Sequence, residues 1–430
     1  MNSIKKLALS IASSKFIKNS GIYAITNIVS GAIPFLLIPI ITKNMPPEDY
    51  GTIAMFMVLV GFSNSVIGLN VHGAVLRSYY DQDEFDFPKY VFNSLIILFT
   101  SAFFVVVVII VFGNIIEKYA SFPKSWFIAV IFYSFFQFIG LVLLAIWQAQ
   151  KKALQYGIFI IARIVLDLTL SIVLILYLNW GWEGRIVGQL TAITASGLLV
   201  FIILINSKLV KLQFDWAYIK NALNFGIPLI PHTVGLVLFT MTDRIFITNM
   251  IGVKSVGIYF IAYQIGQIIY LFSDAFNKAW VPWFYEKLKS NLLTEKIKIV
   301  KITYIYFIVI LVFALTIFLI TPLIFKFFIG KEYLEAEDYV IWFLLGFAFN
   351  GMYKMVCNYM FYLRKTKIIS SITFIAGTTN VILNYFLIKE YGIVGAAQAS
   401  TISFLLSFVL TWIYSSRVYK MPWNLIDTTI

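Results

Sequence analysis

Charge is scarce in this chain. Only 12% of its 430 residues are Asp, Glu, Lys or Arg, about half the roughly 25% usual in soluble domains, while 60% are apolar. That balance excludes a soluble fold and points to an integral membrane protein. The single cysteine, Cys357, excludes a disulfide framework and a thiolate metal site. Two histidines, His72 and His232, are too few and too isolated for a metal centre, so neither a metal nor a cofactor is expected. There is no phosphate-binding glycine loop ending in Lys-Ser or Lys-Thr, and no Gly-x-Ser-x-Gly elbow. ATP-driven and serine-hydrolase chemistry are left without support. The net charge of +13 does not mark a nucleic-acid binder, because its distribution follows membrane topology.

Apolar runs of membrane-crossing length are abundant instead. Twelve spans are expected near residues 22–42, 52–72, 91–112, 126–147, 158–178, 185–205, 225–247, 256–279, 302–328, 339–362, 368–388 and 393–414. With basic residues at span ends counted with their loops, 21 Lys and Arg fall on one side and 8 on the other. The richer side is cytoplasmic by the positive-inside rule, and it holds both termini. Residues 1–20 read as a basic amphipathic segment lying on anionic lipid.

An internal repeat divides the chain. Ile41-Thr42-Lys43-Asn44 through Tyr50-Gly51 matches Ile247-Thr248-Asn249-Met250 through Val256-Gly257 at a constant offset of 206. A second echo pairs Gly181-Trp182-Glu183-Gly184 with Gly392-Ile393-Val394-Gly395 at an offset of 211. The first and seventh spans each carry two prolines, Pro34 with Pro39 and Pro228 with Pro231, which predict kinks. The expected fold is all-α, with two six-helix bundles at 21–206 and 225–414, a cytoplasmic linker at 207–224 and a cytoplasmic tail at 415–430. Six spans per half give the two halves the same orientation, as in transporters with parallel repeats and a site between them.

Three basic residues lie inside spans, in the half nearer the cytoplasm: Arg163, Lys278 and Lys354. A charge there costs at least about 2.5–3.5 kcal/mol and marks a substrate or ion pathway by default. Arg163, Asp167 and Ser171 recur at i, i+4 and i+8, and Arg163 with Asp167 reads as an ion pair. Gln264, Gln267, Asp274 and Lys278 share one face of the eighth span, with Asp274 and Lys278 four residues apart. Asn350, Lys354 and Asn358 line the tenth, and no acidic residue lies within a turn of Lys354. Thr373, Gly377, Asn380 and Asn384 line the eleventh. Such stripes either enclose a wet cavity or join helices by hydrogen bonds. Asp167 and Asp274 are the candidates for ion coupling or intramembrane pairing.

The order of several short passages resembles a known family. These passages are Pro34-Phe-Leu-Leu-Ile-Pro39 running to Glu48-Asp-Tyr-Gly51, Phe225-Gly-Ile-Pro-Leu-Ile-Pro-His232, Thr242-Asp-Arg-Ile-Phe-Ile247, Val256-Gly-Ile-Tyr-Phe-Ile-Ala262 and Gly392-Ile-Val-Gly-Ala-Ala-Gln398. Over nearly the whole chain they resemble Wzx-type polysaccharide flippases of the multidrug/oligosaccharidyl-lipid/polysaccharide exporter superfamily. The resemblance implies alternating access and a substrate of undecaprenyl-pyrophosphate-linked repeat units, moved from the inner to the outer leaflet for O-antigen or capsule assembly. It also implies a bacterial inner-membrane location, with a polysaccharide polymerase and a chain-length regulator as partners. Asp243-Arg244 matches a family motif, with a gate or a structural ion pair implied. Two rivals stay open: a drug-cation exporter of the same superfamily, and a membrane enzyme modifying polysaccharide. In-span bases outnumber acids, against the first. Every outside loop is short, against the second.

Overall fold

The computed structural model describes residues 15–363 and 365–424. Most of the N-terminal amphipathic segment and the end of the tail lie outside the described residues. Every regular element among the described residues is helical. In order these are α1 (Lys15–Ala32), α2 (Leu37–Asn44), α3 (Pro47–Val66), α4 (His72–Ser78), α5 (Phe87–Ala120), α6 (Phe127–Ala149), α7 (Ala153–Leu176) and α8 (Gly181–Asn206). They continue as α9 (Trp216–Gly226), α10 (Ile230–Met250), α11 (Val253–Ser290), α12 (Leu293–Phe328), α13 (Glu337–Tyr362), α14 (Thr366–Tyr391) and α15 (Ile393–Val418). Eleven helices among the described residues are long and apolar enough to cross a membrane. The span expected over 52–72 is not among the eleven: its helix, α3, ends at Val66, just before a left-handed turn at Gly68, Leu69 and Asn70.

The helices form two compact units. The described residues of Met1–Met45 with Thr52–Val237 make the first; Pro46–Gly51 with the described residues of Leu238–Ile430 make the second. In the first, α6 is the central helix: Ile139, Val142, Leu143 and Ile146 are fully buried, against Val91 and Leu98 of α5 and Val200 and Leu204 of α8. Peripheral helices keep apolar side chains outward. On α12, Ile305, Ile308, Val312, Leu315, Leu319 and Leu323 follow a three-or-four-residue spacing and are all exposed, the signature of a lipid-facing stripe.

Pro34 lies in a 3-10 turn, Ile33–Leu36, that separates α1 from α2, and Pro39 is the third residue of α2. Pro228 lies in the corresponding 3-10 turn, Ile227–Leu229, and Pro231 in the first turn of α10. A ring in place of the amide hydrogen removes an i to i−4 hydrogen bond, and the tighter turn accommodates the loss.

The repeat has a physical counterpart within the second unit. A Cβ on Gly51 would stand 2.0 Å from the Val253 carbonyl oxygen, and one on Gly257 would stand 2.0 Å from that of Pro47. Gly51 and Gly257 are equivalent under the offset of 206, and so are Pro47 and Val253. The contact is therefore reciprocal, as across a two-fold axis, and only glycine fits at either place. Tyr50 beside this contact donates its hydroxyl hydrogen to Gln264.

The segment before α9 is pinned to the start of α5. Asn93 Nδ2 donates to the Gln213 carbonyl at 3.0 Å, and the Asp215 amide donates to Asn93 Oδ1 at 2.9 Å. Two ion pairs reinforce it, Lys211 to Asp86 at 2.8 Å and Lys89 to Asp215 at 2.7 Å. The Lys211 bond holds the Asp86 carboxyl below its ordinary pKa, and the Lys89 bond does the same for Asp215.

Candidate anion-binding site

Helix α11 places Tyr270, Asp274 and Lys278 one turn apart on a single face. Helix α13 comes close enough to add Lys354, because small residues clear its path. A Cβ on Gly266 of α11 would lie 2.5 Å from Phe343 Cβ, and one on Gly351 of α13 would lie 3.1 Å from Ser273 Cβ. This close approach follows the small-residue rule for helix contacts in membranes.

At the meeting point one carboxylate serves two ammonium groups. Lys278 Nζ is 2.7 Å from Asp274 Oδ2, and Lys354 Nζ is 3.2 Å from Asp274 Oδ1. Lys354 Nζ also sits 4.1 Å from the centre of the Tyr270 ring, a cation–π contact. One turn on, Asn358 Nδ2 donates to Asn277 Oδ1 at 2.9 Å. The Lys354 side chain is 14% exposed, Asp274 32% and Lys278 45%, so the cluster runs from an inner lysine to an outer one. Two positive charges and one negative leave the cluster with one net positive charge. In a medium of low dielectric that surplus attracts an anion strongly. Asn350 lies a turn from Lys354, and its buried Oδ1 has no hydrogen-bond partner among the described residues.

The i, i+4 pair expected between Arg163 and Asp167 does not form. Asp167 is held by Arg185 of α8, whose Nη1 bonds Oδ1 and whose Nη2 lies 3.3 Å from Oδ2. Ser171 closes the group, donating to Asp167 at 3.1 Å and accepting from Arg185 Nη1 at 2.6 Å. A basic residue N-terminal to its acid is the weaker order for an i, i+4 pair, and the fork of Arg185 reaches both oxygens from the facing helix. Arg163 turns toward α6 instead, with Nη1 3.9 Å from where a Cβ on Gly140 would be. No carboxylate among the described residues pairs with it.

Asp243 and Arg244 are buried together at 3.2 Å. Arg244 Nη1 also donates to the Thr240 carbonyl at 2.7 Å, its guanidinium lies 4.4 Å from the Tyr263 ring centre, and Tyr259 donates to Asp243. In α14, Asn384 Nδ2 donates to Asn380 Oδ1 at 2.9 Å, and Asn380 reaches Ser400 of α15, which is helix joining rather than cavity lining.

Sequence reasoning missed Arg185, Tyr270 and Asn277. Arg185 stands at the edge of its span, beside the loop, although that short loop sets α7 and α8 antiparallel and brings their adjoining ends together. Tyr270 carried a signal: it precedes Asp274 by four residues. Asn277 carried none, since its partner lies 81 residues away.

Membrane proteins with this architecture form a recognisable class. The chain superposes on an inward-facing multidrug resistance MATE family transporter of the MOP superfamily with a TM-score of 0.70 at 13% identity, covering 94% of this chain and 99% of that one. It superposes on the lipid II flippase MurJ in an inward closed conformation with a TM-score of 0.60 at 16% identity, over 93% and 87%. The fold is that of the MOP-superfamily transporters. Residues 16–287 match the family model described as polysaccharide biosynthesis protein, and the chain belongs to that family. It is 26% identical to a protein of the Lsg locus of Haemophilus influenzae over 83% of this chain and 87% of that protein. It is also 22% identical to the capsular polysaccharide biosynthesis protein CapF of Staphylococcus aureus, over 94% and 100%.

Proposed function

We propose that this protein is a flippase that carries an undecaprenyl-pyrophosphate-linked oligosaccharide from the inner to the outer leaflet of a bacterial cytoplasmic membrane, with both its termini in the cytoplasm. The observation that carries this reading is the two-to-one cluster of Lys278, Asp274 and Lys354. A pyrophosphate offers several acceptor oxygens and full negative charge, and ammonium groups replace the hydration it loses on leaving water. An organic cation would meet a surplus of the wrong sign, which disfavours the drug-exporter reading. Family membership and the CapF relative favour a glycan cargo for surface polysaccharide, O-antigen or capsule, delivered to a polymerase and a chain-length regulator.

Asp274 is the coupling group of the mechanism. The pyrophosphate competes with its carboxylate for Lys354, and protonation of Asp274 frees both lysines to hold the anion. Asn350 and Asn358 flank Lys354 on the same helix face and add uncharged hydrogen bonds to the headgroup. Arg163, without a carboxylate partner, is a separate anion contact within the first unit. Asp243 and Arg244 act as an outer gate clasp, and the turns at Pro34, Pro39, Pro228 and Pro231 are the points of flexing.

The test is complementation in a strain that depends on this protein for surface polysaccharide. Lys354→Ala, inserted at the wild-type level, is expected to abolish export, and Arg163→Ala to reduce it. Full export by both variants contradicts the cationic-site reading.

A further inference from the structure

The break in the second span borders a half-open cavity that the cationic cluster does not use. Gly68, Leu69 and Asn70 take φ values of +76°, +46° and +58° in succession. Left-handed backbone is strained for a residue other than glycine, and a bulky Leu is a clear outlier there. Strain of this kind gathers at ligand sites, and irregular backbone at membrane depth persists only when buried in protein or lining a cavity. Here the Gly68 amide is satisfied by buried Ser101 Oγ at 2.8 Å, and a Cβ on Gly68 would strike the Phe138 ring at 2.1 Å.

The cavity measures about 330 Å³, at the small end of the roughly 300–1,000 Å³ range of ligand pockets. Its polar lining is Asn64, Ser65, Asn70, His72, Gln137 and Thr233, with Phe138 beside them. Asn64 Nδ2 donates to Gln137 Oε1 at 3.1 Å, and Asn70 Nδ2 approaches Thr233 Oγ1 at 3.4 Å. His72 Nδ1 is buried with no hydrogen-bond partner among the described residues, and its ring stands edge-on to Phe138 at 5.9 Å. No Asp, Glu, Lys or Arg lines the space. A cation or a phosphate would find no counter-charge. Side-chain amides donate and accept together, which suits a ligand dense in hydroxyls, and an aromatic wall suits its C–H face.

We propose that this cavity is a sugar subsite, taking one uncharged sugar ring of the transported glycan. The proposal rests on the reading of the protein as a carrier of lipid-linked glycan and adds a second recognition element to it. Ordered water joining the helices is the competing account.

The experiment measures binding to the full-length purified protein in lipid nanodiscs. The probes are bare undecaprenyl pyrophosphate and the same lipid carrying uncharged oligosaccharides of increasing length, taken as a panel. Wild type is expected to bind at least one glycosylated lipid about tenfold more tightly than the bare lipid, as one or two retained hydrogen bonds would give. In the Asn64→Leu/Gln137→Leu protein that increment should vanish, so that both lipids bind alike. His72→Gln, the milder change if the double variant is not monodisperse, should cut the increment severalfold. A wild type that binds bare and glycosylated lipids equally overturns the sugar subsite and leaves the anion site standing. So does an increment that survives both variants. A wild type that binds neither lipid overturns both readings.

Discussion

Asp167 and Asp274 are both carboxylates in membrane-spanning helices, one in each unit, yet they differ in how many cations they meet. Asp167 meets one guanidinium that grips both its oxygens, with Ser171 filling the gap, and the group is neutral. Asp274 is divided between two ammonium groups, one on each oxygen, and the group keeps a positive charge. The lesson is that the ratio of partners separates an intramembrane ion pair that holds helices from one that can hold a ligand. A satisfied fork has nothing left to offer. A shared carboxylate can be displaced by a more highly charged acceptor.

The largest expected effect breaks the neutral group. Asp167→Ala leaves Arg185 buried without its counter-charge, which should cost about 3 kcal/mol or more and lower the thermal unfolding midpoint and yield. An Asp167→Ala protein of unchanged stability with weakened lipid binding would move Asp167 into the site. Next, Lys354→Ala should weaken binding of bare undecaprenyl pyrophosphate at least about tenfold, as loss of a charged hydrogen bond predicts, with a smaller change in stability. Lys278→Ala removes the same charge from a half-exposed position, and a loss of about threefold is expected in the same titration because solvent screens it. The smallest effect concerns the linker clasp. Its carboxyls, Asp86 and Asp215, have pKa values held below the ordinary range by Lys211 and Lys89. Their contribution is therefore full above the unfolded carboxyl value and is lost as pH falls through the lower folded values. Hydrogen exchange of the backbone at 208–218 should quicken slightly only in that acidic window.

The fold was largely legible because apolar run length is a property of the chain in one dimension. The repeat was legible too, and the reciprocal fit of Gly51 and Gly257 explains why those glycines sit at one offset. The charged residues inside the spans were legible, and their pairing was not. Lys354 looks uncompensated along its own helix, but Asp274 reaches it from 80 residues away. Arg163 and Asp167 look paired along theirs, and Arg185 takes the acid. Spacing of i, i+4 finds partners within one helix and is blind to those across a helix interface. The turn at Gly68–Asn70 left no mark in hydropathy either, since Leu69 is as apolar as any residue in the span.

The most direct test of the charge-surplus account is the affinity of bare undecaprenyl pyrophosphate for proteins in which the cluster carries different charge. The account predicts that affinity follows charge: Asp274→Asn, with two uncompensated lysines, binds at least as tightly as wild type, while Lys354→Ala and Lys278→Ala, each neutral, bind more weakly. Asp274→Asn binding as poorly as Lys354→Ala would contradict it, and would make the cluster a structural pair like that of Asp167.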